Sequence, residues 1–170
     1  MCEETRLPRN GKEGIIFLLI ISIISVNIIS PVITGFELGF RKEIYLETLK
    51  IIPFMWIIVI LLVTMVSEPV VKQLMIKFTE PTDGFNAKTL CNILFNVIIL
   101  SILLTVIGTW IGKREISIEP IQTFFYHWPR NFTIAFIVES LIAQPIARFA
   151  MKKIHRRHVP KSENVFKLYE

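Results

Sequence analysis

Residues 53–77 read PFMWIIVILLVTMVSEPVVKQLMIK, and residues 129–153 read PRNFTIAFIVESLIAQPIARFAMKK. At one fixed offset of 76, Pro53 meets Pro129, Pro69 meets Pro145, Thr64 meets Ser140 and Glu68 meets Gln144. The same offset brings Lys72 onto Arg148, Met75 onto Met151 and Lys77 onto Lys153. Prolines, small hydroxyls and basic residues seldom recur in one string by chance, so the chain is a tandem duplication.

Each copy of this segment follows another apolar one. Gly14 to Phe36 and Thr89 to Gly112 carry no charged residue, nor does Ile51 to Ser67, and Asn131 to Ala147 is interrupted only by Glu139. An α-helix needs about 20 residues to cross about 30 Å of hydrocarbon. The first three stretches are long enough on their own terms, and the duplication extends the reading to the last: if 53–71 crosses, so does 129–147. The predicted fold is therefore all-α, a polytopic membrane protein whose four transmembrane helices form two duplicated helical hairpins, with spans near 14–36, 51–71, 89–112 and 129–150. The chain divides into an N-terminal segment 1–13, a first repeat 14–77, a linker 78–88, a second repeat 89–153 and a basic tail 154–170. Because each unit holds two spans, both copies enter the membrane in the same direction, and inverted symmetry is excluded.

Composition agrees. Of 170 residues, 52% are hydrophobic and only 19% charged, with a mean hydropathy of +0.56, whereas a soluble domain carries about a quarter charged residues. Basic residues are retained on the cytoplasmic side of short loops. With both termini cytoplasmic, 13 of the 19 Lys and Arg fall inside, among them Lys72, Lys77, Lys88 and the run from Lys152 to Arg157, while Arg41, Lys42, Lys50, Lys113, Arg114 and Arg130 fall outside. The net charge of +5 thus follows from membrane topology and lipid headgroups, and no nucleic-acid partner is implied. On the same topology Cys2 and Cys91 are cytoplasmic and reduced.

The residues that could carry chemistry are few. Glu139 lies midway between Arg130 and Arg148, near the bilayer centre, where an ionised carboxylate costs at least about 2.5 kcal/mol and must face protein or water. Asn131, Ala135, Glu139, Ala143 and Ala147 recur every four residues as a ridge of small and polar side chains predicted to face the bundle, with Ser140 and Gln144 beside it. Glu139 is then either a proton or cation site or a carboxylic acid hydrogen-bonded between helices. Glu68 and Gln144 precede the matched prolines, which free the carbonyls of Met65 and Leu141; Thr64, Ser140 or water are the expected partners, at two kinks around a small vestibule. Asn27, four residues before Pro31, is available for interhelical bonding at another kink. Arg130 and Asn131, beside Tyr126, His127 and Trp128, form either an interfacial anchor or an outer anion or headgroup site. Ser101, Thr105, Gly108, Thr109 and Gly112 form a small-residue stripe for which close helix packing is expected. The histidines fall on opposite membrane faces and no metal-ligand or nucleophile motif is present, so no metal, no cofactor and no enzymatic activity are expected.

The second copy, from Trp128-Pro129-Arg130-Asn131-Phe132 to Gln144-Pro145-Ile146-Ala147-Arg148, resembles the Domain-of-Unknown-Function 2798 family of small bacterial membrane proteins. The first copy is more divergent, with Ile52 in place of the Trp and Met55-Trp56 in place of Asn-Phe. The resemblance implies a two-helix hairpin module in a bacterial plasma membrane and assigns no activity.

Two functions fit. The favoured one is a structural or accessory membrane protein whose partners are membrane lipids and a homo-oligomer or another membrane protein. The alternative is a small transporter or channel using Glu139 with Asn27 and Gln144. A dry, closed core favours the first, and a cavity reaching Glu139 favours the second.

Overall fold

The computed structural model describes residue 8, residues 10–80 and residues 82–158; the tail after 158, the initial residues and Cys2 lie outside the described residues. The first repeat comprises α1 (Gly11–Leu38), α2 (Lys42–Leu62), a π-helical turn (Val63–Ser67) and α3 (Glu68–Phe78). The second comprises α4 (Phe85–Lys113), the short α5 (Glu119–Gln122), α6 (Phe124–Val138), a second π-helical turn (Glu139–Ala143) and α7 (Gln144–His158). Each π turn joins its flanking helices into one continuous rod, so four helices, Gly11–Leu38, Lys42–Phe78, Phe85–Lys113 and Phe124–His155, are long and apolar enough to cross a membrane. The described residues are almost all helical with no strand, arranged as two repeats of two long helices.

The rods overrun the predicted spans at both ends because capping residues lie outside the apolar stretches. Asn10 caps α1 by accepting the Glu13 N–H at 3.0 Å, which satisfies one of the orphan donors of a helix start. The α1–α2 turn depends on glycine: Gly39 takes φ +97°, a conformation other residues adopt at a cost, and the Phe40 ring lies where a Cβ on Gly35 would sit.

The two π turns occupy matched positions, 63–67 and 139–143, at the offset of the sequence repeat. Their cause is the proline two residues beyond each. Pro69 and Pro145 have no N–H, and in a regular helix each ring would strike the carbonyl four residues back. The preceding turn widens instead, with the Glu68 N–H bonding Val63 O and the Gln144 N–H bonding Glu139 O, one residue further than in an α-helix. Thr64 and Ser140 do not reach Met65 and Leu141; their hydroxyls donate one turn back, to Ile60 O at 2.9 Å and Phe136 O at 2.6 Å. A hydroxyl in a helix finds the carbonyl four residues earlier more readily than one ahead of it.

The π turns also mark where helices exchange partners. Toward the end of the bundle away from the termini, here the distal end, each helix packs most closely within its own repeat, α1 along α2 and α4 along α6. Toward the proximal end, each first helix packs on the other repeat's second rod, α1 on α7 and α4 on α3. The proximal half is tightly filled: Ser67, Ala143, Ala147 and Met151 are fully buried and Val71 nearly so.

Candidate functional site

Above that packed half the four rods part around a cavity of about 330 Å³. It runs from the middle of the bundle, where Ser25, Val59, Val97 and Glu139 line it, to the distal end, where Glu37, Lys113, Glu119 and His127 do. The small-residue stripe of α4 forms one side, since Ser101, Thr105, Gly108, Thr109 and Gly112 all line the space. Ser101 and Thr105 are buried against α6, as close packing requires, but the expectation fails at Gly108 and Gly112. A Cβ on Gly108 would meet only Met55 Cε, at 3.9 Å, and one on Gly112 would meet nothing within 4 Å. These glycines leave room where the sequence alone suggested helix contact.

Glu139 sits in the first residue of the second π turn, at the closed end of the cavity. Its Oε1 accepts the Ser25 hydroxyl of α1 at 2.6 Å, a short bond of the kind made to a carboxylate. Among the described residues no lysine, arginine or histidine lies within ion-pair distance of it. On the facing side Ser101 accepts the indole N–H of Trp128 at 3.0 Å and donates to Ile98 O. Two turns from Glu139 toward the distal end, the buried Asn131 donates to Thr105 Oγ1 at 3.3 Å. These side chains make a polar strip along α4 and α6 that ends on the carboxylate.

Beside the strip, α6 carries an aromatic ladder that includes Trp128. Phe124, Trp128, Phe132 and Phe136 recur every four residues, and successive ring centroids lie 5.8, 5.8 and 5.9 Å apart. Such ladders add to the area they bury.

At the distal mouth Arg130 donates to Glu37 Oε1 at 3.1 Å, to Asn131 Oδ1 at 3.2 Å, and lies over the Phe36 ring at 5.7 Å. The guanidinium therefore ties the end of α1 to the start of α6, and its charge is met by a carboxylate within the protein. Lys113 pairs with Glu119 at 2.6 Å across the same mouth.

Of the residues singled out from the sequence, Glu139, Asn131, His127 and the α4 stripe line the cavity and Arg130 braces its mouth. Asn27, Glu68, Ser140 and Gln144 stand apart. Asn27 is exposed on the outside of α1 and donates to Ile23 O of its own helix. Glu68 pairs with Lys72, one turn on, at an exposed site; Ser140 turns back on Phe136, and Gln144 does not line the cavity. Ser25 is the partner that the sequence pattern did not single out; the repeat offset matches it to Ser101.

The family model described as Domain of unknown function (DUF2798) matches residues 10–79 and again residues 86–155. The two matches cover most of the chain at the offset already found. The chain belongs to the DUF2798 family. It carries two DUF2798 units in tandem, each a helix followed by a rod with one π turn. No curated protein and no solved structure matches the chain. The apolar composition of its four long helices marks a multi-pass membrane protein.

Proposed function

We propose that this tandem DUF2798 protein is a small, non-enzymatic transporter that takes up a proton or cation at Glu139 from a cavity open at one membrane face. The observation that carries this reading is the cavity itself, which brings a carboxylate at mid-membrane depth into reach of the distal end. A purely structural or accessory protein has no use for such a space, because membrane helices associate through close van der Waals packing. A carboxylate in lipid would be costly, and one facing a water-accessible path is the usual functional exception. The Lys and Arg distribution supports a plasma-membrane protein with both termini cytoplasmic, so the cavity opens outward and the packed proximal half is the inner barrier. Membrane lipids surround the rods, and a second copy or another membrane protein remains compatible with their exposed faces.

Alternating access requires the barrier to move to the other side of Glu139. The π turns are suited to this, since such turns hold weaker, longer-spaced backbone bonds than the α-helices beside them and cluster at functional sites. They sit at the level where the rods exchange partners.

The test is proton flux into proteoliposomes under an imposed potassium diffusion potential, read with an internal pH dye. Wild type should acidify or alkalinise the lumen well above protein-free vesicles, and Glu139→Gln should fall to that background. Flux unchanged by Glu139→Gln would refute the reading and return the protein to an accessory role.

A further inference from the structure

The duplication is unequal where it borders the cavity. Matched positions of the two repeats both line it, and at four of them the first repeat is apolar and the second polar: Ile29 against Thr105, Ile33 against Thr109, Ile51 against His127 and Met55 against Asn131. Two turns below, Val63 is matched by Glu139 itself. At these positions the first repeat offers an apolar patch of Ile29, Ile33, Ile51 and Met55 where the second offers hydrogen-bonding side chains.

Its charge is also one-sided. Four carboxylates, Glu37, Glu47, Glu119 and Glu139, line it against the single ammonium of Lys113, in a chain whose net charge is +5. Glu37 and Glu119 have cationic partners at the mouth; of the other two, Glu47 lies on α2 toward the distal end, and Glu139 is the carboxylate at the closed end.

Size decides between cations. A cavity of about 150 Å³ holds a benzene ring, so about 330 Å³ holds roughly a dozen non-hydrogen atoms. A proton needs none of that volume. A dehydrated inorganic cation needs about six oxygen ligands, and it would leave the wall of Ile29, Ile33 and Met55 unused.

Resting on the transport reading above, we propose that the substrate is a small amphipathic organic monocation, its ammonium group held at Glu139 and its apolar body laid along Ile29, Ile33, Met55 and Val59. The hydroxyl of Ser25 holds the carboxylate in place from α1, and the apolar wall recognises the body of the ligand by area buried.

The probes are benzyltrimethylammonium and tetramethylammonium, which share a head and differ in the apolar body, titrated calorimetrically into the protein in lipid nanodiscs. Wild type should bind benzyltrimethylammonium at least tenfold more tightly than tetramethylammonium. Glu139→Gln should weaken both at least tenfold. Ile29→Thr, which copies the polar counterpart at position 105 and leaves the carboxylate intact, should weaken benzyltrimethylammonium severalfold and leave tetramethylammonium unchanged. Each variant is first confirmed monodisperse with a wild-type unfolding temperature. Equal affinity for the two probes, no binding of either at millimolar concentration, or binding indifferent to Glu139→Gln would overturn the assignment. Proton flux measured on the same preparations separates the failures: flux that depends on Glu139 without organic-cation binding sinks the substrate class alone, whereas loss of both sinks the transport reading with it.

Discussion

Replacing Gly108 discriminates a cavity from a close helix contact. In a close-packed Gly-x-x-x-Gly face, any added side chain forces the helices apart, and overpacking costs about 1–3 kcal/mol or more. Here a Cβ at Gly108 reaches only the flexible end of Met55, at ordinary contact distance, and one at Gly112 reaches nothing. Gly in a helix interior is about 0.8–1 kcal/mol worse than Ala. Gly108→Ala and Gly112→Ala should therefore each stabilise the protein, by up to about 1 kcal/mol. Gly108→Leu goes further. A leucine side chain fills on the order of 100 Å³, about a third of the roughly 330 Å³ available, at the level between Glu139 and the mouth. It should leave the unfolding temperature at or above wild type while lowering Glu139-dependent proton flux and benzyltrimethylammonium binding at least tenfold. Thermal unfolding in detergent by intrinsic tryptophan fluorescence, paired with the vesicle assay, reads both quantities. A Gly108→Ala protein clearly less stable than wild type would mean that the stripe is a packing face, and a Gly108→Leu protein with full flux would mean that the cavity is not on the path.

Pro69→Ala and Pro145→Ala should each change stability by less than about 1 kcal/mol, because the π turns have already absorbed a strain that costs about 3 kcal/mol in an unadjusted helix; equilibrium unfolding of the single variants checks this. Met151→Ala, at a fully buried position in the proximal barrier, should cost about 2–5 kcal/mol. Ile76→Ala, at an 84% exposed position, should cost far less, and the contrast is measured by the same unfolding experiment. Glu37→Gln removes a partly exposed partner of Arg130 and should cost at most about 1 kcal/mol, with the loss reduced at high salt; a larger cost would show that the distal clasp, not the core, holds α1 to α6.

The duplication, the four rods and the rough place of the carboxylate were legible because each rests on a local or repeating signal. Two prolines at one offset imply the same backbone adjustment twice, and the π turns fall at matched positions. Tertiary distance was not legible. The stripe from Ser101 to Gly112 reveals a face, yet the same small side chains serve equally to bring helices together or to keep them apart, and only the position of Met55 decides. Asn27 misled for a related reason. A helix asparagine can satisfy its amide on Ile23 O within its own turn, so an intramembrane amide need not mark an interhelical contact. Ser25 was visible only as a match to Ser101, since nothing in α1 signals that its partner lies on the second rod of the other repeat.

That last pairing says how a duplicated scaffold acquires a site. Two equal repeats related by a parallel pseudo-axis would place identical residues around the space between them, and any charge would be doubled and facing its copy. Like charges sharing one low-dielectric site repel strongly. The chain avoids this by making position 139 Glu and its counterpart Val63, while keeping serine at both 25 and 101. Only one serine then finds a carboxylate, and the other anchors Trp128. Val63 accordingly packs in the apolar cluster with Val26, Ile52 and Val59. Val63→Glu would restore the symmetric arrangement, placing a second carboxylate among these side chains without a basic partner. A buried unpaired charge costs several kcal/mol, so this variant should fail to reach a folded, monodisperse state, and the double variant Val63→Glu with Glu139→Val should move the cation site to the first repeat only if Ser101 is released from Trp128. A stable Val63→Glu protein with doubled binding stoichiometry would show that the inequality of the repeats is incidental.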